Sequence, residues 1–254
     1  FQVETHSTTY FLKLNKVNYL DMFQAEYQGL ATLAKACDML VPHPIDCGKV
    51  EEVSYLLMEY IKPGSRRPDY WEKLAEGLAF LHGVTDSQFG WKSDNYIGRL
   101  PQSNKRHSQW VEFFVAERLL PQMNLAVGAN LLPNRAKSDL ENLCHMLDQL
   151  LVKEEPALLH GDLWSGNIIV GINGEPGIVD PAVYYGHREI ELAFTTLFGG
   201  FDPRFYQAYQ SVCPLEKGYQ DRFDIYNLYP LLVHLNMFGT SYLGDIIRIV
   251  RKFV

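Results

Sequence analysis

His160-Gly161-Asp162-Leu163-Trp164-Ser165-Gly166-Asn167, followed by Asp180 in Ile178-Val179-Asp180-Pro181, is the stretch on which the reading of this chain turns. Asp162 precedes Asn167 by five positions, and Asp180 lies 13 beyond Asn167. Between them Ile168-Ile169-Val170 reads as a short β-branched strand, Asn173-Gly174 as a tight turn and Gly177-Ile178-Val179 as the returning strand. A hairpin there brings Asp180 back to the end of the sheet at which Asn167 sits. Taken singly, each of the three polar residues reads as readily as a loop cap or a turn former. Both spacings together, with a hairpin between them, are hard to obtain from capping alone.

The chemistry of the set is that of phosphoryl transfer. One carboxylate can orient an attacking hydroxyl while an amide and a second carboxylate hold magnesium against nucleotide phosphates. The Asp–Asn offset equals that of the H-R-D-x-x-x-x-N catalytic loop of protein kinases, in which a metal-binding Asp also follows. Magnesium prefers oxygen ligands and keeps several waters, so two protein oxygens and the phosphates of ATP suffice. The expected roles are therefore catalysis for Asp162 and metal binding for Asn167 and Asp180.

Bulk properties narrow the class. At 254 residues the chain can form one large domain or two lobes sharing a cleft. With 47% apolar and 21% charged residues its composition is that of a soluble globular protein. A formal charge of −7 without a Lys/Arg cluster argues against nucleic acid as a partner. No apolar run has the length of a membrane span, and no secretory signal opens the chain. Cys37, Cys47, Cys144 and Cys213 are scattered and form no C-x-x-C, which fits a reducing cytoplasm better than a disulfide framework. Cys144 falls among apolar residues of a helical pattern and reads as a buried thiol. The chain opens at Phe1 inside a strand-like segment, as a fragment of a longer product would.

Outward from the motif, residues 8–14 read as a strand centred on Lys13, and a helix follows to about Ala36. Asp21 with Gln24 resembles a capping box for that helix. Its apolar stripe takes in Met22, Leu30 and Leu33, and Glu26 falls on the same stripe. A carboxylate there needs a cationic partner, and Lys13 is the candidate. The alternative, a solvated Glu26 at the stripe's edge with Lys13 exposed, stays open. Residues 54–61 read as a buried strand stopped by Pro63-Gly64, after which the main chain of Glu59, Tyr60 and Ile61 can pair with adenine. Further capping boxes are read at Asp69–Glu72 and Ser138–Glu141. Ser108 reads as the cap of a helix ending at Pro121, and another helix is read near residues 188–198. The fold class is α+β: a small antiparallel-sheet lobe at 1–61 and a large, mainly helical lobe at 62–254.

The chain resembles the fructosamine kinase family, within the protein-kinase-like group that includes aminoglycoside and choline phosphotransferases. Besides residues 160–167, the resemblance rests on Phe11-Leu-Lys-Leu-Asn15, Met22-Phe-Gln-Ala-Glu26, Phe89-Gly-Trp-Lys-Ser-Asp-Asn95, Asp180-Pro-Ala-Val-Tyr-Tyr-Gly-His-Arg188, Leu197-Phe-Gly-Gly-Phe201 and His234-Leu-Asn-Met-Phe-Gly239. It covers essentially the whole chain. The resemblance implies a two-lobed kinase-like fold and ATP-dependent phosphorylation of a ketoamine sugar at the 3-hydroxyl. The product is unstable and releases the amine, a deglycation. It further implies that Lys13 contacts phosphate, that Glu26 positions Lys13, and that Trp164 is a wall for the sugar or a packing residue beneath the loop. By the same resemblance the nucleotide-covering hairpin should precede Phe1, within about 30 further residues upstream. At His187 and Glu191 relatives commonly carry Asp, which leaves the hydrogen bonding there in doubt.

Rival readings differ in acceptor. An aminoglycoside or choline-type phosphotransferase would share the fold, but Trp164 and Tyr184-Tyr185-Gly186 favour a ketoamine. Only six residues lie between Asp180 and His187, too few for a protein kinase's activation loop. A nucleotide-binding module without activity would be expected to have lost part of the constellation, and none is missing. Oligomeric state and sugar length are not encoded legibly.

Overall fold

The strand–helix–strand pattern at the N-terminus builds a sheet with one helix on it. In the computed structural model, which describes residues 1–254, β1 (Gln2–Glu4), β2 (Thr9–Lys16), α1 (Leu20–Ala36), β3 (Pro44–Val50) and β4 (Val53–Glu59) form this part. The four strands are antiparallel in the order β1-β2-β4-β3. Along β4, Ser54, Leu56 and Met58 are buried and alternate with more exposed residues, the period of a half-buried strand. Pairing of Phe11 with Met58 and of Lys13 with Leu56 places both β2 residues on that inner face. α1 buries Phe23, Leu30 and Leu33 and packs on β3 and β4.

The chain continues through α2 (Tyr70–His82), a short hairpin of β5 (Asn95–Ile97) and β6 (Leu100–Gln102), and α3 (Trp110–Phe113). A π-helical segment, Phe114–Leu119, then leads into α4 (Leu120–Gly128), and α5 (Asn134–Leu150) and β7 (Ala157–Leu159) follow. Next come β8 (Ile168–Val170), β9 (Pro176–Ile178), β10 (Tyr184–Gly186), α6 (Arg188–Phe194), α7 (Pro203–Val212), α8 (Tyr219–Phe238) and α9 (Leu243–Val250). The chain forms two compact units. One comprises Phe1–Val84, Leu158–Val183 and Phe198–Pro214, the other Thr85–Ala157, Tyr184–Leu197 and Leu215–Val254. In the first, α2 packs on α7 and β9, and His82 Nδ1 meets the Tyr209 hydroxyl at 2.7 Å. In the second, the fully buried Arg118 donates to Ser103 O (2.6 Å) and Asn104 Oδ1 (2.7 Å), with its guanidinium 4.1 Å over the Tyr184 ring. No helix is long and apolar enough to cross a membrane. All four cysteines are free; Cys37 is the buried one, whereas Cys144 is only half-buried rather than the buried thiol read from the sequence, and its partial burial pushes the thiol up to about 11.

Several helix starts differ from those read in the sequence. α1 begins at Leu20 because a 3-10 turn, Val17–Tyr19, runs straight into it. Asp21 therefore lies inside the helix and accepts the Met22 amide (3.0 Å) rather than capping. Asp69 is at the N-cap of α2, but Arg67 holds its carboxylate through Nε and Nη2, both at 3.1 Å, and a bidentate guanidinium outcompetes a backbone amide. α3 is capped at Gln109 rather than Ser108, and Ser138 is interior to α5, which starts at Asn134. Pro121 does not end its helix. It falls at the first positions of α4, where the helix continues directly out of the π-helical segment. α6 stops at Phe194, short of 198: the Thr196 and Leu197 amides reach back only three residues, to Ala193 O (3.0 Å) and Phe194 O (3.1 Å), before the positive-φ run of Phe198, Gly199 and Gly200.

Candidate active site

The hairpin read from the sequence is present. Ile168 pairs with Ile178, Ile169 with Gly177 and Val170 with Pro176, and Gly174 takes φ +83° in the connecting turn. Three further hydrogen bonds lace the loop before β8 to the segment after β9. Val179 N–H donates to Asn167 O (3.0 Å), and Ala182 N–H donates to His160 O (2.8 Å). His160, completely buried, joins Nε2 to Val179 O at 2.8 Å, while its Nδ1 receives the Asp162 amide at 3.3 Å. A carbonyl can only accept and an amide can only donate, so these partners select the neutral Nε2–H imidazole. His160 thus ties the two halves of the site together, a role not assigned from the sequence although the residue stands in the motif.

Asn167 donates through Nδ2 to Asp162 O (2.8 Å) and Oδ2 (3.1 Å), and its own amide closes a turn onto Trp164 O (3.0 Å). With Nδ2 committed, Oδ1 is the Asn167 atom suited to a hard cation. Asp180 has φ +57°, a left-handed conformation that Asp tolerates better than most residues but that still carries strain. Its carboxylate is half exposed and contacts Lys13 Nζ at 2.6 Å.

Lys13 also contacts Glu26 at 2.6 Å, so the ion pair read from the sequence is formed and extends to Asp180. Burial works against the Lys13 charge, but the two carboxylates more than reverse it and hold the ammonium above its ordinary range. Glu26 is pushed up by burial, against the pull of Lys13 and with the push of Asp180. One helical turn beyond Glu26, Gly29 makes the approach of α1 possible. A Cβ there would stand 3.0 Å from Pro181 Cγ and 3.3 Å from Val183 Cγ2. The signal for this contact was a lone glycine in a helix interior.

A cavity of about 500 Å³ adjoins these groups, lined by Phe11, Lys13, Met58, Ile169, Val179 and Asp180 together with Glu59, Tyr60 and Ile61. Glu59 gives its amide to His43 O (2.9 Å), so a planar base would draw on the main chain of Tyr60 and Ile61. Trp164 lies on the same loop as Asp162: a Cβ on Gly166 would come within 2.4 Å of its indole, and its ring meets Phe198 edge-on at 6.0 Å. Every residue named from the sequence as catalytic, nucleotide-binding, metal-binding or substrate-facing belongs to the first compact unit.

This fold and this constellation define a phosphotransferase of the protein-kinase-like class. The comparisons place it further. The family model described as "Fructosamine kinase" matches residues 1–254. A probable ketoamine kinase of Synechocystis is 45% identical over 92% of this chain and 79% of its own length. The crystal structure of a candidate fructosamine-3-kinase from Haemophilus somnus superposes with a TM-score of 0.90 at 30% identity, covering 99% of this chain and 85% of that one. A choline kinase of Streptococcus pneumoniae shares the fold alone, with a TM-score of 0.58 at 15% identity, over 98% of this chain and 87% of its own. The chain belongs to the fructosamine kinase family.

Proposed function

We propose that the protein is an ATP-dependent ketoamine kinase, transferring phosphate to a sugar hydroxyl of adducts such as fructosamine or ribulosamine, at the 3-hydroxyl. The observation that carries this is the convergence of Asp162, Asn167, Asp180, Lys13 and Glu26 in one compact unit beside a cavity of nucleotide size. Asp162 accepts the hydrogen bond of the acceptor hydroxyl and takes its proton as that oxygen bonds the γ-phosphorus of ATP, with ADP leaving. Lys13, fixed by Glu26, faces the phosphates, and Tyr60 and Ile61 present main-chain groups to adenine. Two hard oxygens, Asn167 Oδ1 and an Asp180 carboxylate oxygen, suit a magnesium ion that draws its other ligands from water and phosphate. When bound, magnesium neutralises charge on the phosphates. The protein's own share is positioning and charge, since phosphoryl transfer asks for little covalent help. The residues 1–61 form the nucleotide-binding lobe in this reading and 62–254 carry the catalytic loop and acceptor site.

A substrate panel tests it. ATP consumption should appear with fructosyl-lysine or ribulosyl-lysine and be absent with kanamycin or choline. Turnover of kanamycin or choline without ketoamine turnover would overturn the assignment.

A further inference from the structure

The turn at residues 198–200 holds three consecutive left-handed positions: Phe198 at φ +52°, Gly199 at +98° and Gly200 at +67°. Glycine adopts this conformation freely, and a phenylalanine does not. A phenylalanine held there carries backbone strain that a glycine would not. That side chain is aimed at the catalytic loop. The Phe198 and Trp164 rings stand 82° apart with centroids 6.0 Å apart, and Ser165 Oγ donates to Phe198 O at 3.3 Å. Three residues on, Phe201 is buried against Trp71 (5.3 Å) and Phe205 (5.0 Å), a second attachment of the turn.

Two rings at right angles enclose a corner. Trp164 is two residues from Asp162 in a loop closed by Asn167, which puts one wall of the corner on the same loop as the carboxylate proposed to meet the sugar hydroxyl. Aliphatic C–H groups beside hydroxyls are slightly positive and suit the negative face of an aromatic ring. We propose that Phe198 is a specificity-determining residue, which with Trp164 forms the aromatic corner receiving the C–H face of the acceptor ketose. The inference rests on the ketoamine kinase reading.

Kinetics of the full chain with ribulosyl-lysine and ATP, together with thermal unfolding, separate a binding role from a structural one. Phe198→Gly relieves the left-handed strain and removes the ring. Its melting temperature should hold or rise by a few degrees. Its KM for the ketoamine should rise about 5- to 10-fold, equivalent to about 1–1.4 kcal/mol, with KM for ATP within twofold of wild type. Phe198→Leu, which keeps bulk without a π face, should raise the ketoamine KM similarly, and Phe198→Tyr should restore it. A wild-type ketoamine KM in either the Gly or the Leu variant overturns the proposal. So does a large fall in melting temperature with both KM values altered, the mark of a packing residue only. If the wild-type protein turns over no ketoamine, the kinase reading itself fails and this inference with it.

Discussion

At the residue scale, Lys13, Glu26 and Asp180 form one coupled group rather than an ion pair with a bystander. The sequence made the Lys13–Glu26 partnership legible because a carboxylate on a buried stripe demands a cation. The link to Asp180 was not legible, since it depends on Gly29 letting α1 approach Pro181. Because burial raises Glu26, its charged form is disfavoured in the folded state relative to the unfolded one. Its contribution to stability is thus fully present below the unfolded value near 4.5 and lost as pH rises through the folded one. Replacing Glu26 by Gln should therefore leave the melting temperature within a few degrees of wild type. Activity should behave differently. Loss of one charged hydrogen bond that fixes Lys13 should lower kcat/KM for ATP about 10- to 100-fold, from roughly 1.5–3 kcal/mol. Steady-state kinetics and calorimetry on the same preparation check both parts, and a parallel fall in stability and activity would contradict them.

At the scale of elements, strands and helices were largely visible in the sequence, and their starts were not. The β8–β9 hairpin was legible because β-branched runs flank an Asn-Gly turn. The capping boxes at Asp21 and Ser138 failed because a local cap signal is only a weak preference, and here the helices begin upstream of it, at Leu20 and Asn134. Asp69 failed for a different reason: Arg67 claims its carboxylate first. The cap of α6 shows what the unusual His187 does. Its Nδ1 accepts the Glu189 amide at 3.2 Å and its Nε2 meets Val152 O at 3.2 Å, the pattern of a neutral ring. Burial, against the pull of Glu154 3.8 Å away, lowers its pKa from 6.5 to about 4. The folded value lies below the unfolded one, so this contribution is complete above pH 6.5 and is lost as pH falls towards 4. Between pH 7 and pH 5 it amounts to about 2 kcal/mol. His187→Asn keeps an acceptor at the cap and removes the titration. Urea unfolding at the two pH values should show wild type losing about 2 kcal/mol more than the variant, and equal losses would refute the assignment.

At the scale of the whole molecule, the groups proposed to act in catalysis come from four separated parts of the chain, β2, α1, the loop after β7 and the segment after β9, within a single compact unit. Residues 160–167 and Asp180 were readable because local spacing fixes them on one hairpin. The aromatic corner of Trp164 and Phe198 was not, because 34 positions separate the two and no local pattern links them. The Gly199-Gly200 doublet was the one available hint of a special turn. Asp162 is the residue on which the proposed chemistry depends most directly. ATP-dependent phosphorylation of ribulosyl-lysine by wild type and by Asp162→Asn, with ATP affinity measured in parallel, tests it. The expected result is a loss of about 10²- to 10⁴-fold in kcat with ATP affinity and fold preserved. Near-normal turnover by Asp162→Asn would contradict it.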